Sequence, residues 1–259
     1  MIHLHSKNIN KREIKMLIKN ETLEGLVDIF FPPACPICLR PRPIVEGIRI
    51  NMCKVCRKKT PYIRDVTCFK CGKTLDMGED EYCNDCKGNK HLFKQSFSVF
   101  EYTDSIKNSI FNFKYHNKKE FGKIYGDEMC IRLGDVIKRI NPDVIVPVPI
   151  SKERMTIRGY NQAELIARSV GENMNIPVDT NLIYRVKNTV AMKELDPTNR
   201  IKNLRNAFQI TKNVVRYNKI IVVDDIYTTG ATLDAVTKEL TRFGNIDVYG
   251  MVLCVGQGF

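Results

Sequence analysis

The residues best placed to do chemistry lie between Ile220 and Leu233, in the run I-I-V-V-D-D-I-Y-T-T-G-A-T-L. Four apolar β-formers lead into two carboxylates, then into small hydroxylated residues around Gly230, then into a helix-forming stretch from Ala231 to Phe243. This predicts a buried parallel strand, a tight loop and a helix. Such a loop gathers free backbone N–H groups at the positive end of a helix dipole, where an anion is stabilised. Thr228, Thr229, Gly230, Ala231 and Thr232 would therefore hold a phosphate, with the threonine hydroxyls as added donors. Asp224 and Asp225 are acceptor-only when ionised, which suits a pair of vicinal hydroxyls beside that phosphate. The ligand implied is a ribose 5-phosphate. The plainer alternative is a strand-to-helix turn in which the aspartates cap the helix.

A second set of residues suggests metal. Four C-x-x-C pairs, Cys35/Cys38, Cys53/Cys56, Cys68/Cys71 and Cys83/Cys86, fall within one short stretch, with Gly72 and Gly88 where metal knuckles turn. One pair could be redox chemistry; four read as two tetrahedral all-cysteine zinc sites. Consecutive pairing puts Cys35, Cys38, Cys53 and Cys56 in one site and Cys68, Cys71, Cys83 and Cys86 in the other, and a cross-braced arrangement is the alternative. The stretch has few bulky apolar residues, so metal would supply its folding energy. Sites with four protein ligands are closed, hence structural. His91 is surplus to a full site, His3, His5 and His116 lack ligand spacing, and Cys130 and Cys254 sit in apolar periodic segments as core residues. Arg57, Lys58, Lys59, Arg64, Lys70 and Lys73, interleaved with Tyr62 and Phe69, form either a surface that tracks single-stranded DNA or the solvated face of a small ribbon.

The elements that must position these residues follow from composition and period. A chain of 259 residues has room for one medium domain and an appendage. The divisions expected are a tail and helix over 1–30, a double zinc ribbon over 31–90, and an α/β domain over 91–259. No apolar run is long enough to span a bilayer and no signal peptide is evident, so the expectation is a cytoplasmic protein. Ile14, Leu17, Ile18, Leu23, Leu26, Val27 and Phe30 recur at helical spacing. That helix packs on the protein or lies peripherally on the inner membrane face. The formal charge of +12 favours acidic partners, and two tetrathiolate zinc sites would lower it to about +8.

From Ser96 onward, strands alternate with helices. Strands are expected at 97–102, 143–148, 207–210, 220–223 and 248–255, and helices at 103–113, 121–140 and 162–174, with a loop from Arg154 to Asn161. This alternation implies an α/β fold with a mainly parallel sheet and ligands at the carboxyl ends of its strands.

The strand-loop-helix run resembles the phosphoribosyl pyrophosphate (PRPP) signature of type I phosphoribosyltransferases, with Tyr227 where an aliphatic is usual. Together with Val146 to Pro149, Arg158 to Ala163, Arg200 to Asn203, Asn206 to Phe208, the Phe30 to Cys35 entry and the cysteine pairs, it resembles the ComF family over nearly the whole chain after residue 20. The resemblance implies a zinc-ribbon segment joined to a type I phosphoribosyltransferase fold, and a role in natural transformation alongside the competence machinery and single-stranded DNA. It implies PRPP with Mg2+ in the pocket and pyrophosphate contacts from Val148, Ile150, Ser151, Lys152, Arg154 and Arg158. Asp224 and Asp225 would orient the ribose as charge develops at C1. Residues 188–203 would be the hood loop, where Met192 replaces a glutamine usual in the family. Three roles stay open: a transferase acting on an unidentified acceptor, a PRPP sensor, and a DNA-handling adaptor.

Overall fold

The computed structural model describes residues 33–42, 44–45, 48–64, 66–75, 78, 81–186, 206–211 and 214–256. The chain forms two compact units, Met1–Cys53 and Lys54–Phe259. In the first, β1 (Ile44–Val45) and β2 (Ile48–Arg49) pair antiparallel. A tight turn there places Cys35 N–H on the Arg40 carbonyl at 2.7 Å and Leu39 N–H on the Cys35 carbonyl at 2.9 Å. The N-terminal helix expected over Ile14 to Phe30 and the hood loop with Met192 lie outside the described residues.

The second unit opens with two short helices, α1 (Lys54–Lys59) and α2 (Asn84–Gly88). Strand β3 (Gln95–Glu101) follows, then α3 (Asp104–Tyr115) and α4 (Phe121–Ile140). Phe121, Ile124, Tyr125, Met129, Leu133, Ile137 and Ile140 recur every three or four residues along α4 and are all buried. Ile131, expected on that stripe, is 62% exposed, because two residues from Met129 is the opposite face of a helix. Asn141 ends α4 in the left-handed region, donating its N–H to the Ile137 carbonyl at 3.0 Å, and Pro142 prevents continuation.

After β4 (Val144–Pro147) the expected loop from Arg154 to Asn161 is instead a helix, α5 (Lys152–Arg158). Its ends are standard: Ser151 Oγ caps the Arg154 N–H, and Gly159 at φ 72° closes it. Then come α6 (Gln162–Met174), the antiparallel pair β5 (Ile183–Arg185) and β6 (Phe208–Ile210), β7 (Lys219–Tyr227), α7 (Ala231–Thr241) and β8 (Asp247–Val255).

The main sheet runs β3-β8-β7-β4 with every pair parallel. Ile220 to Val223 of β7 are fully buried between β8 and β4, which is why that run is continuously apolar. Strand β7 is longer than expected and carries both aspartates inside it. Its pairing with β4 stops at Val223, opposite Pro147, whereas its pairing with β8 continues to Tyr227. Past Val223 the strand therefore has one open flank, at the carboxyl edge of the sheet.

Candidate functional site

That open flank holds the acidic pair. Asp225 Oδ2 lies 2.6 Å from Lys114 Nζ, both side chains about 15% exposed. Lys114 arrives from the last turn of α3, one residue past the helix end expected from the sequence at 113. Asp224 Oδ1 accepts the Asp225 N–H at 2.8 Å. Although Asp224 keeps a little accessible surface, protein packs round its carboxyl, and this burial, reinforced by the Asp225 charge, pushes its pKa up to about 7. One carboxylate is thus held by a lysine and the other is poised to titrate near neutrality.

The loop after β7 turns through Thr228, Thr229 and Gly230 into α7. Gly230 has φ 75°, and a Cβ there would stand 2.6 Å from the Tyr227 hydroxyl and 2.7 Å from the His91 ring, so glycine is required twice over. No side chain caps the N-terminus of α7, and Thr229 Oγ1 is buried without a hydrogen-bond partner. An uncapped helix start with an unpartnered hydroxyl beside it suits an anion. Asp224, Thr228, Gly230, Ala231 and Thr232 line one concavity there. Tyr227, in place of an aliphatic, is buried with its hydroxyl 3.4 Å from His91 Nε2.

The segment after β4 was expected to offer donors from Val148, Ile150, Ser151 and Lys152. Val148 cannot serve, because its N–H donates to the Val223 carbonyl at 2.9 Å as the last rung between β4 and β7. Ser151 is buried at the α5 N-cap and Lys152 is exposed beside it. Arg158 donates to Gln162 Oε1 at 2.9 Å and to the Tyr115 hydroxyl at 3.2 Å, stacked over the Tyr115 ring. A residue not singled out from sequence joins Asp224: Arg185, at the end of β5, whose pKa burial lowers to about 10, with Arg154's charge adding to the shift and Asp224 opposing it. No strand was expected over β5, whose three residues show no alternation of their own, so Arg185 had no visible frame.

The cysteines assemble as two groups in consecutive pairing, Cys35, Cys38, Cys53, Cys56 and Cys68, Cys71, Cys83, Cys86, the Sγ atoms of each lying within 4.8 Å of one another. Sulfurs bound to zinc at about 2.3 Å stand roughly 3.8 Å apart in a tetrahedron. Cys38 to Cys53 measures 3.8 Å and Cys71 to Cys83 measures 3.7 Å, so the thiols present fit zinc. The two groups support zinc as a structural metal.

The basic and aromatic residues of the ribbon are less free than their sequence suggests. Arg57 Nη2 pairs at 2.5 Å with Glu128 Oε1, a fully buried carboxylate. Tyr62 donates to Glu128 Oε2 at 2.9 Å, and Arg132 covers its ring at 3.7 Å. Lys70 Nζ donates to the Phe93 and Lys94 carbonyls. Arg57, Tyr62 and Lys70 therefore have structural duties, whereas Phe69 is 56% exposed. Among the described residues no helix is long and apolar enough to cross a membrane.

Comparison with known proteins agrees with this arrangement. Residues 26–87 match the model of the double zinc ribbon domain. The chain is 29% identical over 225 residues to competence protein F of Haemophilus influenzae, covering 83% of this chain and 95% of that protein. It is 29% identical over 203 residues to competence protein ComFC of Bacillus subtilis, covering 75% and 79%. It is 24% identical over 226 residues to the DNA utilization protein YhgH of Escherichia coli K12, covering 86% and 97%. A purine phosphoribosyltransferase structure from Pyrococcus horikoshii Ot3 covers 51% of this chain and 87% of its own, at 16% identity and a TM-score of 0.30, too loose a likeness to carry an argument. The paired cysteine groups, the parallel sheet and these relatives, matched over most of their length, agree with the resemblance to the ComF family that the sequence motifs carry.

Proposed function

We propose that the chain binds PRPP at the carboxyl edge of β7 and uses it for phosphoribosyl transfer in a protein that handles incoming DNA. The observation that carries this reading is the Asp224–Asp225 pair beside an uncapped helix start with the unpartnered Thr229 hydroxyl. Thr228 to Thr232 would hold the 5-phosphate, and Asp224 and Asp225 would accept from the ribose hydroxyls. On this reading Ser151 and Lys152, with Arg185 near Asp224 and Arg154 near Arg185, face the pyrophosphate. Mg2+, held mainly by substrate oxygens, would neutralise charge on the leaving pyrophosphate. The chain's own part is to fix both charged ends of PRPP so that C1 is exposed to an acceptor.

Lys114 has a place in this scheme as the counter-ion of Asp225. The ion pair holds that carboxylate aligned before the ribose arrives. The relatives' names concern competence and DNA utilization, which supports placing the activity in DNA uptake. Exposed Phe69, near Lys58 and Lys59 in the chain, supports a second role for the ribbon in stacking on single-stranded DNA. Calorimetry with PRPP and Mg2+ tests the site: saturable binding that disappears in Asp224→Asn, Asp225→Asn is expected, and equal affinity in that variant overturns the assignment.

A further inference from the structure

The second cysteine group and the proposed phosphate loop are joined through one short segment, 91–96. On its ribbon side, Ser96 N–H donates to the Lys70 carbonyl at 2.8 Å. A Cβ on Gly72, itself at φ 72°, would stand 2.7 Å from the Ser96 carbonyl oxygen, so the knuckle and the segment are in direct backbone contact. Cys68, Cys71 and Cys83 share one continuous buried cluster with Phe93, Tyr227 and Leu233.

On its other side, the same segment grips the loop. His91 stacks on Phe93 at 4.9 Å and places Nδ1 2.8 Å from Asp234 Oδ2, while Leu92 N–H donates to Asp234 Oδ1 at 2.7 Å. Asp234 belongs to the first turn of α7, and its own N–H donates to the Gly230 carbonyl at 2.9 Å. The His91 ring also occupies the space against Gly230 that a side chain would need. A histidine that is 5% exposed and held on three sides is a positioning group for the turn.

We propose that His91 couples the second zinc site to the phosphate loop, so that metal at Cys68, Cys71, Cys83 and Cys86 sets the loop's affinity for a phosphorylated ribose. This deepens the proposed function and rests on its reading of the loop as a phosphate site. A ribbon poor in core residues takes its folding energy from metal, so metal loss releases segment 91–96 and with it the Asp234 clamp. Coupling between binding sites is reciprocal: a ligand that needs the ordered loop must tighten zinc at the second group by the same factor.

The experiment uses the full zinc-loaded chain, ribose 5-phosphate as probe, and a chromogenic chelator to follow zinc release. In the wild type, ribose 5-phosphate should slow release of one of the two zinc ions by about 5- to 100-fold. His91→Ala should keep both zinc ions, bind ribose 5-phosphate more weakly, and show no effect of the probe on zinc release. Cys83→Ser should weaken probe binding and Cys38→Ser should not; if Cys83→Ser fails to fold, the His91→Ala arm decides alone. Probe binding with unchanged zinc release in the wild type overturns the coupling and leaves the phosphate reading standing. No probe binding overturns the phosphate reading, and the coupling is then judged by hydrogen exchange at amides 229–233. Those amides should exchange faster once the second site is stripped, and unchanged exchange rejects the coupling.

Discussion

Replacing Asp224 by asparagine should stabilise the unliganded protein at alkaline pH while removing its ligand affinity. Burial and the neighbouring Asp225 hold the Asp224 pKa near 7, against 3.8 for the unperturbed group. With the folded value raised, this group's contribution to stability is fully present below the unfolded pKa and is lost as pH rises through the folded pKa. At 1.36 kcal/mol per pKa unit, the ionised carboxylate costs the native state on the order of 4 kcal/mol above about pH 8. Asparagine is isosteric, keeps an acceptor for the Asp225 N–H, and carries no charge. Urea denaturation of zinc-saturated protein should show Asp224→Asn gaining stability over wild type by roughly 1–1.5 kcal/mol more at about pH 8.5 than at about pH 6, as the integrated linkage requires. A variant destabilised at high pH, or a difference that does not change with pH, would refute the claim that Asp224 is buried at a cost.

Asp225→Asn should behave oppositely, losing about 1–3 kcal/mol because Lys114 is left without its counter-ion in a mostly buried setting; denaturation of the two single variants side by side shows the split. Gly230→Ala should abolish ribose 5-phosphate binding and cost about 1–3 kcal/mol, since φ 75° and the contacts with Tyr227 and His91 both exclude a Cβ; calorimetry and a melting curve check each half. Arg57→Ala should cost about 3 kcal/mol by taking the paired charge from buried Glu128, which keeps the Tyr62 hydrogen bond, while Lys58→Ala stays within about 0.5 kcal/mol of wild type. A salt series on single-stranded DNA should therefore be run on Lys58→Ala and Phe69→Ala, where weaker binding reports contact and not unfolding.

What the sequence made legible follows the strength of its local signals. The helices at 121–140 and 162–174 stand as read, because long stripes end at Asn141-Pro142 and begin at an Asn161 cap. The strand and loop from Ile220 to Thr232 also stand, although β7 runs four residues past its apolar part because β8 still pairs with it. Helix α5 has a Ser151 cap and a Gly159 stop, but its seven residues bury none of their number and Met155 and Ile157 are exposed, so no apolar stripe marks it in the sequence. Strand β6 stands where a strand was expected at 207–210, but its antiparallel partner β5, three residues long, is too short for period to show. Residues that act through tertiary contact had no sequence signal: Lys114 meets Asp225 across more than a hundred positions, and His91 meets Asp234 across 143. Arg57 and Tyr62, read as part of either a nucleic-acid surface or a solvated ribbon face, are held by Glu128, a carboxylate whose burial no local pattern announces.

The central claim is that the acidic pair and the loop after it form a PRPP site that breaks the bond at ribose C1. Pyrophosphate release from PRPP and Mg2+, measured across free bases, nucleotides and single-stranded DNA, tests it most directly, with Asp224→Asn, Asp225→Asn as the blank. Slow release is expected with PRPP alone, where water intercepts C1, and a sharp rise with the correct acceptor. PRPP that binds tightly and is never cleaved above the blank would contradict a transferase and leave a sensor.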